Sequence, residues 1–389
     1  MTGTHAAAGW QRILALAAAV GFVEAALFGA LAPLLPVFEA DLELNKVEAG
    51  VLTAAYAFGA FAGAIPSIWL TRRLGVAATV VAGLVLLGVS SVVFAFPETG
   101  AVVFLARFGQ GFGSAFAYTG ALAWLTTVVP WDRRGEAIGF AFAAAFSGAL
   151  LGPMLGVAAD WLGTAPVFLG VAVVAFALVV VALVLPRPSA HLLPTEGLRY
   201  LALEPSLRLA FLLIALTGLL LGMLGVLAPL RLSELGLSVL AIGVVLALGG
   251  VLQALVNPLV GRLADRRGRE APLRVGLLLA AVTSALLILD RRAALYALVV
   301  VFASVAYAML WTPATALLSD VIERRGFDQA AGFGLMGAAW PPGFAIGAAV
   351  GGGLAAATSD AASYLLAAGA CLLALPLLRR LGTEDGARL

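Results

Sequence analysis

Two charged residues sit inside apolar stretches, and their positions are the ones in this chain best suited to chemistry. Arg107 is the only charge between Ala101 and Val129, and Glu24 lies in the first hydrophobic segment with no other charge between Arg12 and Glu39. A cation near the middle of a bilayer costs about 2.5–3.5 kcal/mol even on the lenient insertion scale, so it needs a partner, a water-filled cavity or both. Burial disfavours a charged carboxylate and a nearby cation favours it, which leaves such a group able to exchange a proton near neutral pH. Gln110, Ser114 and Tyr118 follow Arg107 at i+3, i+7 and i+11, so a helix here carries one polar face. Gln253, Asn257, Tyr307, Trp311, Met336 and Trp340 are further polar or aromatic residues inside apolar segments that could line a cavity with Gln110, Ser114 and Tyr118. The chemistry in view is proton exchange on Glu24, with Arg107 as the charged partner of the same ionisable core, linked to the passage of a solute.

The rest of the chain has the composition of a scaffold for such a pathway. With 62% hydrophobic residues, 11% charged residues and 389 residues in all, it is an integral membrane protein. A net charge of +2, spread over short loops, gives no basic patch for nucleic acid. One cysteine, Cys371, and two histidines, His5 and His191, leave no metal site, and no cofactor is expected. Neither H-E-x-x-H, G-x-S-x-G nor a Walker-type loop occurs, so the chain is not expected to be an enzyme. The apolar opening runs to Phe38 through Glu24, Pro33 and Pro36, too long for a secretory leader.

A helix needs about 20 residues to cross a bilayer. Twelve stretches satisfy this, near 13–38, 48–70, 74–96, 101–129, 136–160, 164–185, 208–231, 239–260, 273–289, 294–318, 330–357 and 361–378. The only long polar interruption falls between the sixth and the seventh, so the expected organisation is a six-helix bundle over 1–185, a cytoplasmic linker over 186–207 and a second bundle over 208–389. Arg and Lys are concentrated eighteen to four in the loops on the side of the termini and linker, which places both termini in the cytoplasm of a cell with an inner (plasma) membrane. The halves repeat: Arg72-Arg73-Leu74-Gly75 matches Asp265-Arg266-Arg267-Gly268, 193 residues further on. Two related halves suggest alternating access about a central site.

Four motifs now carry a resemblance to the major facilitator superfamily. Gly261-Arg-Leu-Ala-Asp265-Arg266-Arg-Gly268-Arg269 resembles its cytoplasmic-loop signature, of which Ile68–Gly75 is a degraded copy with Arg72 in the aspartate position. Arg107-Phe-Gly-Gln110-Gly111 is similar to the fourth-helix signature, and Pro33-Leu-Leu-Pro36 to the end of the first helix of many drug exporters. Gly148-Ala-Leu-Leu-Gly152-Pro153-Met-Leu-Gly156 resembles the fifth-helix signature of proton-driven exporters. Its glycines are four apart and share a face on which a backbone can approach, while Pro153 bends the helix. Gly343, Gly347 and Gly351 repeat that spacing after Pro341-Pro342.

The resemblance implies an all-α fold of twelve transmembrane helices in two pseudo-symmetric bundles, and apposition of Glu24 with Arg107. It implies a monomeric, proton-coupled antiporter, in contact with membrane lipid, that exports small amphipathic or lipophilic compounds. The alternatives are a dedicated metabolite, sugar or lipid exporter of the same fold and a transport-inactive receptor or scaffold.

Overall fold

The computed structural model describes residues 3–130, 133–186, 204–289, 292–325 and 329–378, excepting the side chains at 3–9 and 329–335. Most of the expected linker, including Pro188, His191, Pro194, Glu196 and Arg199, lies outside the described residues. All regular structure among the described residues is helical.

In the first half the helices are α1 (Gly3–Asp41), α2 (Lys46–Leu74), α3 (Val76–Phe94), α4 (Gly100–Val128), α5 (Arg134–Leu162) and α6 (Thr164–Val184). The second half holds α7 (Pro205–Glu234), α8 (Val239–Arg267), α9 (Glu270–Leu289), α10 (Ala293–Ala308), α11 (Trp311–Arg324), α12 (Gln329–Ala357) and α13 (Asp360–Ala374), which ends in a 3-10 turn at Leu375–Leu378. Among the described residues, ten segments are long and apolar enough to cross a membrane, with α10 and α11 counting together as one. Helices α4 and α12, each 29 residues long, complete the expected twelve.

Local sequence explains where these helices start and turn. Asn45 caps α2: its Oδ1 accepts from the amides of Val47 and Glu48, and Glu48 Oε2 accepts from the Asn45 amide, a reciprocal capping box. Thr99 and Ser238 cap α4 and α8 through their hydroxyls. The matching loops after α2 and α8 both turn on glycines at positive φ, Gly75 at 87° and Gly268 at 78°, a region costly for any residue with a Cβ.

The chain divides into two compact units, Met1–Leu42 with Ala55–Leu192, and Glu43–Ala54 with Leu193–Leu389. Helix α2 therefore contributes its first turns to the second unit and its remainder to the first. In the first unit α1 packs on α5, and α3 on α4 and α6; in the second α7 packs on α12, and α9 on α10 and α13. The contacts repeat as the sequence does. Both major contacts are glycine-lined. A Cβ at Gly148 would lie 2.1 Å from the Phe22 carbonyl oxygen, at Gly152 2.8 Å from that of Ala26, and at Gly156 2.3 Å from that of Ala30. Gly343 and Gly347 stand in the same relation to the Ala215 and Leu219 carbonyls of α7, at 2.2 and 2.0 Å. These backbones touch because the side chains are absent.

The fourth helix differs between the halves. Helix α4 is continuous, whereas its counterpart breaks at Met309-Leu310 between α10 and α11. Pro313, in the first turn of α11, has no N–H for the Met309 carbonyl, so the helix restarts there rather than continuing.

One end of the second unit holds the chain's single lysine. Lys46 Nζ lies 2.8 Å from Asp360 Oδ1 at the start of α13 and 3.3 Å from Glu234 Oε1 at the end of α7. Arg231 completes the group at 2.8 Å from Glu234 Oε2. One turn along α2, a Cβ at Gly50 would lie 2.7 Å from the Ala348 carbonyl oxygen of α12. Charge and backbone contact together explain why the start of α2 belongs to this unit.

Candidate functional site

Arg107 is 1% exposed and its guanidinium is held mainly by backbone oxygen. Nη1 donates to the Leu27 carbonyl at 2.9 Å and to Gln110 Oε1 at 3.0 Å, and Nη2 donates to the Phe28 carbonyl at 3.2 Å. Gln110 donates in turn to Ser91 Oγ at 3.2 Å. The guanidinium carbon lies 4.8 Å from the centre of the Tyr56 ring and 5.8 Å from that of Phe94, a range in which ring faces attract a cation. Leu27 and Phe28 lie six and five residues before Pro33 in the continuous helix α1, where their helical donors are the amides of Leu31 and Ala32. Each carbonyl has a second lone pair, so this turn can accept from the cation as well.

Glu24 stands apart from this arrangement. It forms no ion pair with Arg107, whose two terminal nitrogens donate to Leu27, Phe28 and Gln110 instead. That corrects the expected apposition. Backbone carbonyls, rather than a carboxylate, accept from and solvate the buried cation. The Ser114 hydroxyl lies near the Glu24 carboxylate, and the Glu24 carbonyl accepts from Tyr56 Oη at 3.1 Å. Unlike Arg107, Glu24 is only half-buried. The Tyr118 hydroxyl is near enough to interact with its charge, and this hydroxyl is buried without a hydrogen-bond partner among the described residues. Glu24, Ser114 and Tyr118 thus form one cluster and Arg107 with Gln110 another, on successive turns of the α4 polar face.

The expected cavity residues of the second unit separate into two groups. Tyr307 is 1% exposed, and its hydroxyl pairs with Ser284 Oγ at 2.7 Å between α9 and α10. It packs the core and lines no open space. Gln253, Asn257, Trp311, Met336 and Trp340 are half-buried, with the Trp340 ring 5.3 Å from that of Phe344.

Around the loop signature, Arg269 bridges two helices. Its Nη1 lies 2.6 Å from Asp265 Oδ1, and its Nε and Nη2 donate to the Asp320 carboxylate of α11 at 2.9 and 3.3 Å. Asp320 belongs to none of the sequence motifs, although it is the one carboxylate before Glu323 and Arg324 at that end of the tenth span. Arg266 is exposed, and Gly261 lies against the Thr312 methyl at 3.5 Å from where its Cβ would be. The Asp320 side chain is 40% exposed against 70% for Asp265, and it takes two donors, so its charge is less screened. Asp320→Asn is therefore expected to slow transport more than Asp265→Asn when both are measured at matched expression. An equal or inverted order would return the main role to Asp265.

The glycine face of α5 makes a second expectation with an internal control. Gly148→Leu must displace the Phe22 backbone, whereas a Cβ at Gly139 on the same helix meets nothing within 4 Å. Overpacking of this kind costs about 1–3 kcal/mol or more. Gly148→Leu and Gly152→Leu should lower the melting temperature of the purified protein and abolish transport, while Gly139→Leu leaves the melting temperature unchanged. Normal activity of Gly152→Leu would mean that the close approach of α1 and α5 is dispensable.

Comparison with known proteins decides the family. The family model described as Major Facilitator Superfamily matches residues 17–206 and 210–388. The chain belongs to the major facilitator superfamily. Among its curated relatives, Multidrug resistance protein 1 of Bacillus subtilis is 31% identical over 167 residues, 42% of each chain. Quinolone resistance protein NorA of Staphylococcus aureus is 30% identical over 128 residues, 33% of each chain. The matches thus span less than half the length of these relatives. Among solved structures, the nucleoside transporter NupG superimposes with a TM-score of 0.75 over 95% of this chain and 98% of that one, at 13% identity. That likeness establishes the fold. The protein is a multi-pass membrane protein of a family of transporters rather than enzymes.

Proposed function

We propose that this transporter is a proton-coupled antiporter of the cell's inner (plasma) membrane, with both termini cytoplasmic, that exports small amphipathic or lipophilic compounds by alternating access. The observation that carries the reading is Glu24, a half-buried carboxylate in the middle of an apolar helix with no ion-pair partner among the described residues. A carboxylate neutralised by a fixed arginine would have little reason to exchange a proton. One whose counter-charge is missing is neutralised most readily by a proton or by a passing cationic solute. Tyr118 and Phe142, edge to face at 6.4 Å, supply apolar surface beside it for a lipophilic solute. The similarity to multidrug and quinolone resistance proteins supports export of such compounds.

The test is reconstitution of the purified protein in liposomes with an imposed pH gradient and a panel of lipophilic cations, neutral amphipaths and sugars. Dissipation of the gradient that depends on a lipophilic compound is expected. Transport indifferent to the gradient, or stimulation by a sugar alone, would overturn the reading.

A further inference from the structure

The second unit carries two side-chain amides in its membrane span that no described protein group satisfies. Gln253 and Asn257 make no side-chain hydrogen bond among the described residues, and Asn257 Oδ1 is buried. An unsatisfied polar group at membrane depth costs several kcal/mol unless water or a ligand meets it.

Their surroundings say what would meet them. Gly249, Gln253, Asn257 and Gly261 follow one another at four-residue intervals, along one ridge of α8. Its two glycine ends touch the tenth span on either side of the break: a Cβ at Gly249 would lie 2.4 Å from Ser304 Oγ of α10, and one at Gly261 3.5 Å from Thr312 Cγ2 of α11. The carboxamides fall between these contacts, facing the level of Met309 and Leu310. There Pro313 leaves the Met309 carbonyl without its helical donor, and Pro258 does the same for the Ala254 carbonyl. Oxygen acceptors therefore outnumber donors at this level. No charged residue occurs in α8 before Arg262 or in α10 and α11 before Asp320, so an ammonium bound here would have no counter-ion on these helices.

We infer that Asn257, assisted by Gln253, forms a subsite opposite the break in the tenth span that selects solutes with a neutral N–H or O–H group, such as an amide. The inference rests on the transport function proposed above and adds the chemistry of one end of the solute. Glu24 governs the proton, and Asn257 reads an uncharged donor.

The experiment uses the full-length protein in lipid nanodiscs and two neutral dansyl-tagged probes that differ at one linkage, an N-phenyl amide and the matching phenyl ester. The wild type is expected to bind the amide about tenfold more tightly, the equivalent of one net hydrogen bond. Asn257→Leu should bring the two affinities together by weakening the amide alone, and Gln253→Met should narrow the gap. Because the Asn257 amide bonds to no described protein group, Asn257→Leu should leave the melting temperature unchanged or raise it. Equal binding of amide and ester by the wild type, no binding of either, or a preference that survives Asn257→Leu would each overturn the subsite. Export of both probes driven by a pH gradient, measured in liposomes, separates the two claims. Export without amide preference defeats the subsite alone. Amide preference that depends on Asn257, without gradient-driven export, defeats the proton coupling and leaves the subsite standing.

Discussion

Glu24→Gln is expected to bind a neutral lipophilic solute nearly as the wild type does and to lose most of its export against a gradient. Gln keeps the volume of the side chain and can still hydrogen-bond Ser114, while the Tyr56 hydroxyl bonds the residue 24 carbonyl, which the substitution leaves in place. What disappears is the proton that can be taken up on one side and released on the other. In liposomes with an imposed pH gradient, uphill transport should fall at least about tenfold, whereas downhill exchange of a neutral solute continues and loses its pH dependence. A cationic solute should bind less tightly, because the amide offers it no charge. Uphill transport at the wild-type rate would mean that another group carries the proton. Among the described residues no second carboxylate lies in the interior of a span with comparable isolation, so such a result would point away from proton coupling.

Much of this architecture can be read from residue types alone. Apolar length locates the spans, four-residue glycine spacing on α5 and α12 anticipates backbone contact with α1 and α7, and the paired Arg-x-Gly turns announce a repeat that recurs in the packing. What escapes are partners without a side-chain identity. The backbone acceptors of Arg107 are the Leu27 and Phe28 carbonyls, which any residue possesses, so no side-chain type announces them. Tyr307 illustrates the converse. A tyrosine in an apolar helix reads as a cavity residue, yet Ser284, on another helix and 23 residues away, satisfies its hydroxyl in the core. Lys46 is in the sequence one basic residue of a short loop, and its carboxylate partners Glu234 and Asp360 lie far along the chain. Long-range pairings of this kind depend on packing, which local periodicity does not encode.

Replacing Arg107 should be the most damaging single change in the first unit, and the manner of the damage separates two roles. If the residue were the counter-ion of Glu24, Arg107→Lys would keep the charge and much of the activity. As a pin it uses two guanidinium nitrogens to reach the Leu27 carbonyl, the Phe28 carbonyl and Gln110 together, while its plane lies over Tyr56. A lysine ammonium is a compact point charge and cannot span that fork. Hydrogen bonds to a charged group are worth about 1.5–3 kcal/mol each, so both Arg107→Lys and Arg107→Met should lower the melting temperature of the purified protein strongly. Transport should fall with them, because α1 loses its tie to α4 at the turn that follows Glu24. A double-mutant cycle with Glu24→Gln supplies the decisive reading. Sites that share no partner add within about 0.3–0.5 kcal/mol, and the one partner shared here, Tyr56, bonds the residue 24 carbonyl rather than the side chain that Glu24→Gln changes. Additive losses of stability are therefore expected. Coupling well above that margin, or recovery of transport in Arg107→Lys, would restore the ion pair that the structure replaces with backbone oxygen.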